Sequence, residues 1–388
     1  MKKNTEKRSL GLYLHIPFCR SKCAYCDFCS FADADETLMN EYTEALCLDM
    51  QDYSRSADVY RVDTVFIGGG TPTALPIKNL LTIIDSVYEN FDVAEDAEFT
   101  IEVNPATVDE KELKKLNRAG VNRISIGLQS AHNSELKTLS RIHKREDFEA
   151  AFYAARDAGF ENINIDIMYG LPGQNLTSFA STLEYVTSFK PEHISAYNLR
   201  IEPNTPFGRD ASIAERLPDE ETQYEMYMTM AEYFKSQGYQ QYEISNFSLP
   251  GRRCQHNLKY WHCQEYLGLG VAAHSYYGGK RIAYTDDINK YIDEMMEPGS
   301  VSDIFAEEEV ISVKAAQTEY IMLAMRLYEG VNPVKFEKHF GVSFDQKYLP
   351  RMQRYIDAGF IVRRGEGYAF SVKGMFVSSY ILSDILDF

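Results

Sequence analysis

His15-Ile16-Pro17-Phe18-Cys19-Arg20-Ser21-Lys22-Cys23-Ala24-Tyr25-Cys26 places three cysteines at C-x3-C-x2-C spacing directly after an apolar run, Gly11–Ile16. Thiolates are the soft ligands that iron–sulfur centres prefer, and three on one tight loop match three irons of a cubane cluster. The fourth iron is then left open to a small molecule. Ferredoxin-type clusters need a fourth thiolate and use other spacings. Two alternatives stand beside this reading. The three cysteines with His15 make the four N/S ligands of a closed zinc site. Cys29 is near enough in sequence to be a fourth ligand.

Working outward, short β-rich runs alternate with helix-period segments as far as about Asn246. Strands are expected at Gly11–Ile16, Asp63–Ile67, Glu98–Val103, Arg123–Leu128, Asn162–Ile167 and His193–Asn198. Amphipathic helices are expected at Glu36–Asp58, Ile77–Phe91, Asp109–Ala119, Arg145–Ala158, Leu176–Phe189 and Asp219–Gln237. Such alternation means parallel βα units. Six of them imply an α/β fold, a partial (β/α)6 barrel. Barrels of this kind carry their chemistry at the C-terminal ends of the strands. Cys19–Cys26, Gly68-Gly69-Gly70-Thr71-Pro72, Glu102-Val103-Asn104-Pro105, Gly127-Leu128-Gln129-Ser130 and Asp166 with Gly170–Gln174 fall at five such ends. That coincidence tells against a structural zinc loop.

The bulk numbers fit a soluble globular protein. Forty basic against 57 acidic residues in 388 give a net charge of −17, which argues against a general nucleic-acid surface. Seven cysteines, four of them between Cys19 and Cys29, read as free thiols and a metal centre in a reducing cytoplasm, not as a disulfide framework. Met1-Lys2-Lys3 mimics the start of a signal peptide, but Asn4–Ser9 is polar. No stretch approaches the ~20 apolar residues of a membrane span.

The texture changes after Asn246. Residues 247–309 read as a loop-rich segment. Residues 310–388 read as a smaller, mainly helical module, with three helices and then Phe360–Arg363 and Tyr368–Phe370 flanking Gly365-Glu366-Gly367, an order that resembles a winged helix. Its mixed charge favours a lid or packing role over DNA binding. Residues 1–246 form the barrel part.

Three glycines at 68–70 let backbone amides and carbonyls approach a ligand closely. Glu102 and Asp166 suit hydroxyl or ammonium groups, Gln129 adds a polar contact, and Arg141 suits a carboxylate. Their bland readings are caps and surface ion pairs. Tyr25 in the cysteine loop and Tyr13 on the first strand suit stacking or shielding, or ordinary packing. Cys47 reads as core. Cys254-Gln255-His256-Asn257-Leu258-Lys259-Tyr260-Trp261-His262-Cys263 gathers two histidines, two cysteines and the only tryptophan. Imidazole, thiolate and aromatic rings suit haem; a second zinc site is the alternative. His274 is expected in the same region.

Together, Cys19–Cys26, Gly68–Thr73, Gly127–Ser130, Gly170–Gln174 and His256–Trp261 resemble the radical S-adenosylmethionine (SAM) family of oxygen-independent coproporphyrinogen III oxidase-like proteins. Cys26-Asp27-Phe28 and His-Asn-x-x-Tyr-Trp are similar to its HemW-type haem chaperone branch. The resemblance implies a [4Fe-4S] cluster on Cys19, Cys23 and Cys26 with SAM against it. By position it implies SAM contacts from Tyr13, Gly69, Gly70, Thr71, Glu102, Gln129, Arg141 and Asp166, with Tyr25 as the cluster-loop aromatic. It further implies haem at His256, beside Asn257, Tyr260 and Trp261. The partners implied are haem or a porphyrin, an apo-haemoprotein recipient, and a one-electron reductant such as flavodoxin or ferredoxin. Coproporphyrinogen dehydrogenases carry a fourth cysteine as C-x-C, where this chain has Phe28, and a longer N-terminal segment. Both departures favour the chaperone branch over oxidative decarboxylation of porphyrinogen propionates; Cys29 is unusual for it.

Overall fold

In Arg123-Ile124-Ser125-Ile126-Gly127-Leu128-Gln129, the two isoleucines and the leucine are fully buried on one face, while Arg123, Ser125, Gly127 and Gln129 share the other. Ile163–Tyr169 repeats this, with Ile163, Ile165 and Ile167 opposite Asn164, Asp166 and Met168. Successive side chains of a strand face opposite ways. Each strand therefore packs its apolar face under helices and turns a polar face to the interior, which is the pattern of a barrel that houses a site.

The structure, a computed structural model, describes residues 7–297 and 304–386; the Met1-Lys2-Lys3 start and residues 298–303 of the expected 247–309 segment lie outside them. Six strands pair in parallel and in sequence order: β1 (Arg8–Ile16), β2 (Tyr60–Gly69), β3 (Val93–Val103), β4 (Arg123–Gln129), β5 (Ile163–Tyr169) and β6 (His193–Asn198). Between them lie α1 (Glu36–Ser54), α2 (Ile77–Asn90), α3 (Glu110–Arg118), α4 (Asn133–Thr138), α5 (Arg145–Asp157) and α6 (Leu176–Ser188). Then come α7 (Pro206–Arg209) and α8 (Glu220–Ser236). This is the partial (β/α)6 barrel. Helix α3 shows how local sequence sets its bounds: Asp109 and Glu112 form a reciprocal capping box, and Leu113 and Leu116 are its buried stripe. Cys47 is half-buried on α1, at the edge of the core.

The loop-rich reading of 247–309 is corrected. The chain there, together with residues 240–246 just before it, extends the sheet past both barrel edges, giving the order β12-β11-β10-β9-β1-β2-β3-β4-β5-β6-β8-β7. The added elements are β7 (Gln240–Gln241), β8 (Asn246–Ser248), α9 (Gln255–Trp261), β9 (Tyr266–Leu269), β10 (His274–Tyr277), β11 (Lys280–Tyr284), α10 (Ile288–Met296) and β12 (Phe305–Val310). Strand β9 runs parallel to β1 and the remainder pair antiparallel. These strands hold two to six residues each and are broken by glycines, so no window was long enough to show a period. Strand β12 crosses the expected 309/310 boundary.

The C-terminal module comprises α11 (Val313–Arg326), α12 (Pro333–Phe340), α13 (Phe344–Lys347) and α14 (Leu349–Asp357). The hairpin β13 (Ile361–Arg364) and β14 (Gly367–Phe370) follows four helices where three were expected, and after it come α15 (Val372–Phe376) and α16 (Ser378–Ile385), which the sequence did not show.

One buried carboxylate ties the added strands to the barrel. Asp49 on α1 is fully buried and accepts from the Tyr284 hydroxyl (2.8 Å), the Tyr291 hydroxyl (2.7 Å) and Gly270 N (3.3 Å). Burial outweighs these donors and pushes its pKa up to about 7. The folded state thus holds a proton that the unfolded chain releases near pH 4, so stability falls as pH rises from about 4 to 7 and the full penalty, on the order of 4 kcal/mol, stands above that window. Urea unfolding at pH 5 and pH 8 is expected to show the wild type less stable at pH 8, and the difference to shrink in Asp49→Asn.

Candidate cofactor site

The cysteine loop leaves β1 at Pro17 and is stapled to the barrel at several points. Phe31 N donates to Pro17 O (2.6 Å) and Cys19 N to Phe31 O (3.0 Å), closing its base. Ala24 N donates to Leu139 O, and Ala24 O accepts from Phe207 N. Cys19, Cys23 and Cys26 are half-buried thiols on the wall of a cavity of about 620 Å³ that opens over the C-terminal strand ends. Burial pushes the Cys19 and Cys26 thiols up, so loading a metal there releases protons. Arg141 Nη1 donates to Cys23 Sγ (3.5 Å) while its Nη2 holds Gly127 O (3.1 Å), a fixed cation beside a prospective thiolate.

The same cavity is lined by Tyr25, Gly69, Gly70, Thr71, Glu102, Gln129, Arg141 and Asp166. At Gly70 a Cβ would stand 2.7 Å from Phe18 O and 3.1 Å from Cys19 Sγ, so only glycine lets β2 end against the cysteine loop. Gly69 has φ +116°, and a Cβ there would overlap the His15 ring. Its N–H donates to Glu102 Oε2 (3.1 Å). Glu102 is pushed up to about 8, first by burial and then by the neighbouring Asp166 charge. Asp166 accepts from Ser125 Oγ (2.6 Å) and Asn164 Nδ2 (2.9 Å), and burial raises it. Gln129 sits at φ +68°, where the β4–β5 register shifts, a strained position of the sort that concentrates at functional sites.

Two expected positions fall elsewhere. Tyr13 does not line the cavity: its hydroxyl bonds His15 Nδ1 (3.0 Å) and its ring packs on Phe66 and His256 in the barrel interior. Cys29 turns away from the other cysteines and contacts Asp286 O (3.7 Å). Among the described residues no three His, Cys, Asp or Glu side chains gather as a single ion requires. The zinc alternative needs such a point; a cubane asks each thiolate to reach its own iron. The donor set, the glycine cradle and the cavity fit that cluster with a polar, cationic ligand beside it. Sequence reasoning missed Tyr197 and Met168 in the wall. Both occupy inward register positions, Met168 opposite Tyr197, continuing the Asp166–Ser195 pair, and the alternation could have exposed them.

The His256 segment lies towards the opposite, N-terminal ends of the strands. Helix α9 has no side-chain cap of its own. Glu98 of β3 supplies one, accepting from Gln255 N (3.0 Å) and His256 N (3.0 Å). Lys259 is buried and pairs with Asp63 (2.6 Å). His256 is fully buried, with Nδ1 on Thr64 Oγ1 (2.9 Å) and Nε2 on the Tyr260 hydroxyl (2.8 Å). Both ring nitrogens are thus occupied, and burial lowers the imidazole to about 3. Asn257, Tyr260 and Trp261 are half-buried on the same helix. His274 is exposed on β10, and no hydrogen bond joins it to His256. Glu98→Ala is expected to cost about 2 kcal/mol, the worth of charged bonds to a helix terminus. Hydrogen exchange should then speed up at the Gln255 and His256 amides before the barrel strands respond.

A six-stranded parallel partial barrel with a three-cysteine loop over its C-terminal rim and a helical C-terminal module defines a radical SAM protein. The Radical SAM superfamily model matches residues 13–186, and the HemN C-terminal domain model matches residues 311–377. The Heme chaperone HemW of Bacillus subtilis (strain 168) is 35% identical over 355 residues, covering 90% of this chain and 92% of that protein. The Heme chaperone HemW of Escherichia coli (strain K12) is 34% identical over 375 residues, covering 96% and 97%. The fold is shared with the solved Coproporphyrinogen III oxidase (HemN) from Escherichia coli, a radical SAM enzyme, with a TM-score of 0.86 and 23% identity over 98% of this chain and 90% of the other. The chain belongs to the radical SAM superfamily and, within it, to the HemW family of haem chaperones. Among the described residues no helix is long and apolar enough to cross a membrane.

Proposed function

We propose that this chain binds haem and hands it to haem-lacking haemoproteins in the cytoplasm, as a radical SAM protein with a [4Fe-4S] cluster on Cys19, Cys23 and Cys26. The observation that carries the cofactor part is that those three thiols line the same cavity as Gly69–Thr71, Glu102, Gln129, Arg141 and Asp166. When bound, the cluster supplies a Lewis-acidic open iron and a one-electron relay. The chain's own residues would do the holding. Glu102 and the Gly69–Thr71 backbone would take the ammonium and hydroxyl groups of SAM, Asp166 is oriented for the same work by Ser125 and Asn164, and Arg141 would take its carboxylate. Tyr25 would shield the cluster from water. Tyr13 would act from behind, through His15.

Haem binding comes from the near full-length likeness to proteins named heme chaperones, and the aromatic- and histidine-bearing stretch around α9 supports it. We assign residues 1–246 to the cofactors, 247–309 to haem together with sheet extension, and 310–388 to a cover. A flavodoxin- or ferredoxin-type reductant would serve the cluster.

The competing reading is coproporphyrinogen III dehydrogenase. Phe28 stands 67% exposed where that enzyme type carries its fourth cysteine, and Cys29 is turned away. Reconstituted protein incubated anaerobically with SAM, reductant and coproporphyrinogen III is expected to leave the porphyrinogen unchanged on chromatography. Accumulation of protoporphyrinogen would make the chain a dehydrogenase.

A further inference from the structure

A second cavity, of about 350 Å³, lies where the end of α9 meets the C-terminal module. Trp261 and His262, Tyr320 of α11, Lys335 of α12 and Arg364 of the hairpin are among the residues that line it. It is separate from the cysteine cavity, and the two share no residue.

Its chemistry differs from that of the buried network one turn earlier. Both nitrogens of His256 are taken by Thr64 and Tyr260. His262 is exposed, and neither of its ring nitrogens has a partner among the described residues. Trp261 Nε1 is buried without a partner, and the indole carries Arg326 over its face at 4.4 Å. The Lys335 ammonium is exposed and unpaired among the described residues. Arg364 is fixed over the Tyr328 ring while donating to Tyr328 O, so its guanidinium is held in place. Two carboxylates also line the space. Glu329 is already paired with Arg253 (2.7 Å), and Glu366 is exposed at the hairpin turn.

An open imidazole, aromatic rings and two cations lining one cavity suit one ligand class: a flat metal macrocycle bearing carboxylates. Imidazole takes the metal, rings pack on the macrocycle and cations take carboxylates. We propose that haem docks in this cavity, with His262 as the iron ligand and Lys335 and Arg364 facing the propionates. The inference rests on the haem reading above and moves the ligand from His256 to His262. The volume is at the small end of ligand pockets, so it houses one edge of the macrocycle and leaves the remainder exposed. A carrier that must surrender its cargo needs that exposure.

The test is a ferric haem titration of the full-length, cluster-reconstituted chain, followed by its Soret difference spectrum. His262→Ala is a surface change and should fold normally; it is expected to lose the histidine-ligated spectrum and at least about tenfold in affinity. Lys335→Glu with Arg364→Glu should weaken haem by a similar factor while affecting haem dimethyl ester little, because the ester lacks propionate charge. Metal-free protoporphyrin should feel the charge reversal but not His262→Ala. His256→Gln, with folding checked by circular dichroism, should keep the wild-type spectrum. An unchanged spectrum in His262→Ala overturns the inference, as does its loss in a folded His256→Gln protein alone. Absence of haem binding by the wild type would instead sink the chaperone function itself.

Discussion

Cys23→Ala is expected to leave the anaerobically reconstituted chain without its cubane, and with it SAM binding weakened on the order of 100-fold, close to 3 kcal/mol. Cys23 is half-buried on a loop held by backbone bonds at Phe31, Leu139 and Phe207, none of which uses its thiol. Loss of iron is therefore not loss of fold, and the thermal midpoint should move little. Arg141 keeps its bond to Gly127 O and stays in place. Cys29→Ala is the contrast, because its sulfur faces Asp286 O, away from the cavity. That variant should bind iron and SAM as the wild type does. Iron and sulfide analysis with equilibrium dialysis of SAM decides both, and equal loss in the two variants would place Cys29 on the cluster.

The second large effect concerns Glu102. Burial and Asp166 hold its pKa up to about 8, so at pH 7 it is mostly neutral. A cationic ligand prefers the ionised form. Binding below pH 8 must then release the Glu102 proton, so affinity rises with pH by up to about tenfold per unit and flattens above about 8. Glu102→Gln has no proton to release there. It should show a shallower pH dependence, by one proton, and its largest deficit against the wild type at pH 8.5. A parallel pH profile in the two proteins would remove Glu102 from the ligand's contacts.

The cysteine loop and five of the strand ends were legible because their signals are local. Three cysteines in eight residues need no partner to be read, and Ile124-Ser125-Ile126 or Ile165-Asp166-Ile167 announces both the strand and its inward polar face. Residues whose roles depend on distant partners were not legible. Whether His256 is a free ligand or a buried hydrogen-bonding group is decided by Thr64, far upstream on β2, and the helix it sits on is capped from β3 by Glu98. Tyr13 shares strand parity with His15, yet it stops short of the cavity because Phe66 and His256 fill the space beside it. Strands β9–β12 are four to six residues long and gain their order from pairing across the sheet, which composition does not reveal.

The central claim is haem delivery, and transfer tests it most directly. The cluster-reconstituted chain, loaded with one haem and mixed anaerobically with a haem-depleted recipient haemoprotein, should lose its Soret absorption as the recipient gains both absorption and activity. Transfer should outpace release to a passive haem scavenger. Haem that stays on the chain, or that reaches recipient and scavenger at the same rate, would contradict the account.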